Sequence, residues 1–271
     1  MAGQRRSGDR GSGDRKRAAR CIAALAVLAV ALAATPAGAE SYRELRERFL
    51  PGIKGDDQRH ILDSDLMPWR AIGRVNRRTG GYCTGTLIAP GTVLTAAHCL
   101  WNKRTRRWLA PEALHFVGGY ARGAWIADSA VAALRLAPQA LRGPGKDGHF
   151  AAMADWALLT LAKPLAGLGS IPLGPAVGPS ASLTQAGYSQ DKPHILTAHE
   201  GCHALAQPAA PQGDVLVHDC DATHGDSGSP ILHLTPDGPE LVAMHVATGR
   251  GGNGTVGIAV TAAAIERQRG E

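Results

Sequence analysis

Apolar residues in this chain fall in short runs at residues 85–89, 92–96, 114–119, 131–136, 156–161, 215–218, 230–234, 241–246 and 255–260, with Gly, Pro, Asp and Asn cutting between them. Short runs bounded by turn formers predict strands rather than helices. They do not alternate with helical stretches as a parallel sheet requires, so the pattern predicts an all-β fold of antiparallel strands. One segment, residues 262–268 (AAAIERQ), reads as a short C-terminal helix. Residues 40–59 are charged and lack strand alternation; they read as a propeptide or an N-terminal arm, with the folded domain expected over residues 60–271.

The N-terminus follows a different pattern. Residues 1–20 hold seven Arg or Lys against two Asp, and residues 21–34 are then fourteen apolar residues without interruption. A basic stretch, an apolar core and the small-x-small site Ala37-Gly38-Ala39 are the parts of an export signal over residues 1–39. Fourteen helical residues fall short of a hydrocarbon core of about 30 Å, so no stable membrane anchor is expected. Arg5-Arg6 raises the twin-arginine route, but no apolar residue follows promptly, which ranks that route second. A secreted or periplasmic chain would shed this segment, and with it +5 of the formal net charge of +6. The remainder is near neutral and shows no interleaving of basic and aromatic residues, which sets nucleic acid aside as a partner. Cys21 goes with the leader, leaving Cys83, Cys99, Cys202 and Cys220, an even number in an exported chain. Four cysteines allow three pairings, and spacing alone does not choose among them.

The candidate chemistry is concentrated at residues 219–230, DCDATHGDSGSP. Gly225 two before Ser227, with Gly228 and Ser229 after it, describes a tight loop that exposes the hydroxyl and turns backbone N–H groups to one side. Such a hydroxyl can attack a carbonyl, with the N–H groups of Gly225 and Ser227 holding the oxyanion that forms. Taken alone, the loop is equally a surface turn. Two other stretches decide: TAAHC at 95–99 ends an apolar run in His98, and DWALL at 155–159 opens another with Asp155. A serine hydroxyl is a poor nucleophile at neutral pH, so His98 would take its proton and return it to the leaving amine. Asp155 would fix the imidazole tautomer and stabilise the imidazolium. Each residue has an ordinary structural reading, as interior histidine or turn-forming aspartate. Coincidence of all three, in the order His, Asp, Ser, is the weaker account.

With TAAHC, DWALL and GDSGSP in that order, the chain from about Pro68 to its end resembles the trypsin/chymotrypsin-type serine peptidases. Ser229 and the leader resemble their bacterial secreted branch, which includes the glutamyl endopeptidases. The resemblance implies two six-stranded antiparallel barrels of chymotrypsin type. The first would span about 68–164 and carry His98 and Asp155; the second would span about 170–271 and carry Ser227, with the crossing near 164–169. It implies a serine endopeptidase acting on protein or peptide substrates through an acyl-enzyme, as a monomer and without a cofactor. It also pairs Cys83 with Cys99 beside the histidine and leaves Cys202–Cys220 to close a loop before the nucleophile, worth roughly 3 kcal/mol for a loop of that size.

The same resemblance gives two expectations for the substrate pocket. Asp221, six residues before Ser227 and followed by Ala222, stands where trypsin-like enzymes bind Arg or Lys, which makes basic side chains the first expectation. His245 stands where glutamyl endopeptidases carry a pocket histidine, which makes glutamate the rival. Val246 departs from the trypsin branch, which has a serine there, and no Arg-Ile-Val-Gly-Gly activation junction occurs in the chain. The rival class is a binding protein that keeps the fold without turnover; the intact set of three residues argues for the enzyme.

Two further motifs compete. HEGCH at 199–203 matches the H-E-x-x-H zinc-peptidase pattern, which needs a helix to bring both histidines to one face. Gly201 within it, with Pro193, Pro208 and Pro211 around it, opposes a helix, so no metal site is expected. GRGGNG at 249–254 matches G-x-G-x-x-G, yet it separates two strand-like runs and leaves too few residues for a dinucleotide-binding unit, so it reads as a hairpin loop.

Overall fold

The computed structural model describes residues 42–205, 214–252 and 254–270. The leader expected over 1–39, including Cys21 and Ala37-Gly38-Ala39, lies outside the described residues, as do Pro208 and Pro211. Among the described residues no helix is long and apolar enough to cross a membrane. The chain divides into two compact units, Met1–Leu45 and Arg46–Glu271, and helix α1 (Tyr42–Phe49) spans the division. All the strands belong to the second unit.

After a two-residue strand β1 (His60–Ile61) come β2 (Ile72–Arg77), β3 (Tyr82–Ala89) and β4 (Thr92–Thr95), then a small hairpin of β5 (Trp101–Asn102) and β6 (Arg107–Trp108), then β7 (Leu114–Gly118), β8 (Ala127–Leu136) and β9 (Ala157–Leu161). Six of these close an antiparallel barrel in the order β2-β3-β4-β9-β8-β7. Its inward positions follow the two-residue period of a strand: on β9, Ala157, Leu159 and Leu161 are buried while Thr160 is exposed. Leu87, Val93, Phe116 and Leu159 meet inside, and each such side chain removed from water contributes about 1.5–3 kcal/mol.

The second half holds β10 (Ser182–Gly187), β11 (Thr197–His203), β12 (Val215–His218), β13 (Pro230–Thr235), β14 (Gly238–Gly251) and β15 (Gly254–Thr261), followed directly by helix α2 (Ala262–Gly270). These strands form a sheet in the order β1-β11-β10-β13-β14-β15-β12. β11 and β12 come together at the bridge Ala204–His218, beside a 2.8 Å hydrogen bond from Leu205 N–H to the Val217 carbonyl. The Cys202–Cys220 disulfide pins that seam. The fold is thus the expected all-β double-barrel type with a short C-terminal helix, with β1 added as a seventh strand on the second sheet.

β10 and β11 are absent from the apolar runs for a physical reason. SLTQAG and TAHEGCH bury Thr184, Gln185 and Thr197, polar residues that break the apolar pattern although they are buried. The H-E-x-x-H match lies on β11, with Gly201 as the unpaired residue of a β-bulge, so His199 and His203 share no helical face. The G-x-G-x-x-G match lies in the β14–β15 hairpin, where Gly251 pairs with Gly254.

Candidate active site

His98 is delivered by the end of β4. Thr95 closes the strand, Ala96 stays extended, and the chain turns into a 3-10 helix over Ala97–Leu100. The Cys83–Cys99 disulfide fastens that turn to β3. Asp155 follows another 3-10 turn, Ala152–Ala154, just before β9. Its carboxylate is 5 % exposed and grips His98 twice: Oδ1 accepts the His98 backbone N–H at 2.8 Å and Oδ2 lies 2.7 Å from Nδ1. That arrangement puts the imidazole proton on Nδ1 and leaves Nε2 as a base.

Ser227 sits on the turn before β13. Gly228 beside it has φ +86°, and a Cβ there would lie 2.2 Å from the Thr84 carbonyl and 3.1 Å from Ala96 N. Only glycine lets this turn press against the backbone that leads to His98. Thr84 of β3 is the hub: its N–H donates to the Ser227 carbonyl at 2.9 Å, its Oγ1 donates to the Gly225 carbonyl at 3.1 Å, and its own carbonyl accepts Thr95 Oγ1 at 2.7 Å. Neighbouring residues of one strand, Cys83 and Thr84, therefore hold the histidine turn and the serine turn.

Of the expected pocket residues, Asp221 and Ala222 are buried. Asp221 Oδ1 accepts the Lys54 N–H at 2.8 Å and Oδ2 accepts the Gln58 N–H at 2.9 Å. The Lys54 ammonium donates to the carbonyls of Gly52 and Cys220, and burial lowers its pKa against the opposing pull of Asp221 and Asp219. The carboxylate expected to read a basic substrate is thus already held by the segment before β1. His199 lies in the same region, with Nδ1 accepting the Asp221 N–H at 2.9 Å.

His245 is buried on β14, its Nδ1 lying 3.1 Å from Nε2 of fully buried His218. Gly257 makes room for this pair, since a Cβ there would lie 2.1 Å from His218 Cε1. Burial first, then Lys54 and His98, push the His245 pKa down to about 3. Burial and the neighbouring His245 also depress His218. Both rings are therefore neutral at physiological pH.

Sequence reasoning did not find Thr84, Lys54 or His218. Thr84 follows Cys83, and His218 ends a recognisable strand, but their partners lie far along the chain. Both His/Cys/Asp groupings with metal-like spacing among the described residues, Cys83-His98-Cys99 and Cys202-Asp219-Cys220, consist largely of disulfide-bonded sulfur.

The family model described as a trypsin-like peptidase domain matches residues 83–244. Over 50 residues the chain is 38% identical to a glutamyl endopeptidase of Bacillus licheniformis, a stretch covering 18% of this chain and 16% of that relative. A solved structure of a Glu endopeptidase in complex with MPD matches with a TM-score of 0.66 at 20% identity, covering 81% of this chain and 100% of that one. The last likeness is one of fold.

Proposed function

The chain belongs to the trypsin-like peptidase domain family, and from that premise we propose a serine endopeptidase in which Ser227 attacks the substrate carbonyl, His98 moves the proton and Asp155 orients His98. The observation that carries the reading is the double grip of Asp155 on His98, which supplies a fixed tautomer with a free Nε2. Attack forms the Ser227 Oγ–carbon bond while Oγ–H passes to His98 Nε2. Collapse returns that proton to the leaving amine, and water repeats the cycle on the acyl-enzyme.

The oxyanion would meet the N–H groups of Gly225 and Ser227. The carbonyls of the peptide units that supply them are occupied: His224 O accepts Gln190 N–H at 2.6 Å and Asp226 O accepts Ser229 N–H at 2.9 Å. In a trans peptide the N–H points opposite to its carbonyl, so each donor faces away from the partner its carbonyl holds.

For specificity we favour an acidic side chain over a basic one. Asp221 is buried and each of its oxygens already accepts a backbone N–H, so a guanidinium would have to compete with the N-terminal segment for it. If His218 Nε2–H donates to His245 Nδ1, His245 keeps its own proton on Nε2, a donor suited to a carboxylate. The named relatives are glutamyl endopeptidases, in keeping with this preference. The two disulfides suit an oxidising compartment, and we place the site of action outside the cytoplasm.

The test compares wild type and Ser227→Ala on a peptide library. Wild type should cleave after Glu, and the variant should lose kcat on the order of 10⁶-fold, the loss seen in a comparable triad. Equal cleavage by both proteins would remove Ser227 from its role. Cleavage after Arg or Lys would restore Asp221 as the residue that reads the substrate.

A further inference from the structure

Asp226 immediately precedes the nucleophile, is 1 % exposed and is tied to its own turn through Oδ2, which accepts the Thr223 N–H at 2.8 Å. The same oxygen accepts Ser189 Oγ–H at 2.7 Å. Burial raises the Asp226 pKa, so a charged carboxylate here needs a compensating cation. Arg59 supplies one. Its side chain is 1 % exposed and its Nη1 donates to Ser189 Oγ at 2.8 Å, so a single hydroxyl accepts from the guanidinium and donates to Asp226.

The guanidinium is firmly seated. Nε and Nη2 donate to the two oxygens of Asp57 at 2.8 and 2.9 Å, and Nη2 reaches Asp191 Oδ2 at 2.7 Å. Lys192 Nζ joins the cluster 2.5 Å from Asp57 and 3.8 Å from Asp191, setting two cations among Asp57, Asp191 and Asp226. Arg59 arrives from a docked segment: Ala222 N–H donates to the Gly52 carbonyl, Lys54 and Gln58 N–H donate to Asp221, and the next residue, His60, pairs with Ala198 of β11.

We propose that Arg59 is a positioning residue for the nucleophile turn: through Ser189 it holds Asp226, and with it the Gly225 and Ser227 amides, in working geometry. The assignment rests on the serine-peptidase reading above. It makes residues 52–59 a part of the working enzyme, not a discarded propeptide, so any N-terminal processing stops before Gly52.

The test uses the full chain and a peptide substrate that wild type cleaves, with Arg59→Gln, Arg59→Lys, Ser189→Ala, Asp226→Asn and the Arg59→Gln/Asp226→Asn double variant. Arg59→Gln should lower kcat by about 100-fold, the scale expected when reacting groups move by about 1 Å, with Arg59→Lys recovering part of it. The double variant should be no worse than Asp226→Asn alone, since both changes break one linkage. Wild-type kcat in Arg59→Gln, or losses that multiply in the double variant, would overturn the assignment. If Arg59→Gln does not fold, Ser189→Ala decides, because it keeps both charges and cuts the relay: reduced kcat supports the role and wild-type kcat overturns it. The peptidase reading fails separately, if Ser227→Ala cleaves as well as wild type, and the Arg59 assignment falls with it.

Discussion

Asp155, Asp221 and Asp226 are all buried carboxylates, and what reaches each one sets its task. Asp155 receives the backbone N–H and ring Nδ1 of one histidine, Asp221 receives two backbone amides of the N-terminal arm, and Asp226 receives its own turn and a hydroxyl backed by a guanidinium. In the sequence all three are merely acids beside small or apolar neighbours. Residue type and chain order made His98, Asp155 and Ser227 the candidates; they could not show that two backbone N–H groups already reach Asp221, because those partners lie more than 160 positions upstream. The role proposed for Asp155 is sensitive to a one-atom change. Asp155→Asn preserves shape but turns an NH₂ or a carbonyl toward Nδ1, and a carbonyl no longer favours the imidazolium. We expect kcat to fall on the order of 10⁴-fold, as in a comparable triad, with thermal unfolding shifted little; steady-state kinetics beside a melting curve checks both.

Each of the three candidate side chains is carried by a turn, and each turn is braced by an element that contributes none of the three. β3 braces two of them through Cys83 and Thr84. Helix α2 braces the third: Trp156 Nε1 donates to Gln268 Oε1 at 2.9 Å, and Gln268 Nε2 donates to the Met153 carbonyl at 3.1 Å. One glutamine thus clasps both sides of Asp155. Gln268→Ala removes two hydrogen bonds and leaves the Trp156 N–H without its partner, a cost of about 1–3 kcal/mol. A looser Asp155 turn should also lower kcat by roughly tenfold, and Gln268→Glu, which keeps the acceptor for Trp156, should recover part of the stability. If Gln268→Ala matches wild type in both unfolding and turnover, the clasp has no weight. At this scale the sequence was legible where apolar residues alternate: the run at 215–218 coincides with β12, and 262–268 falls within α2. It was silent at β10 and β11, whose buried Thr and Gln give no apolar period, and it stopped short on the long β14, which continues past the run at 241–246 through Gly249 and Gly251.

For the molecule as a whole, the buried histidine pair links folding to pH. His218 and His245 are neutral in the fold because burial depresses both pKa values, that of His245 to about 3. In the unfolded chain each would titrate near the ordinary histidine value of about 6.5. Between those limits the unfolded state binds more protons, so stability falls as pH falls, by up to about 1.4 kcal/mol per pH unit for each histidine. Burial and the nearby Lys54 depress His199 in the same sense, whereas Asp226, held above the usual carboxylate range, binds its proton first in the folded state and acts with the opposite sign. A comparison of variants separates these contributions. Urea unfolding of wild type and His245→Gln at pH 7 and at pH 4.5 should show a smaller drop for the variant, by about one proton's share, even if the variant is less stable at pH 7. Equal drops would mean that His245 titrates in the fold as it does in the open chain, and the neutral donor proposed for reading an acidic substrate would then be a cation below neutral pH.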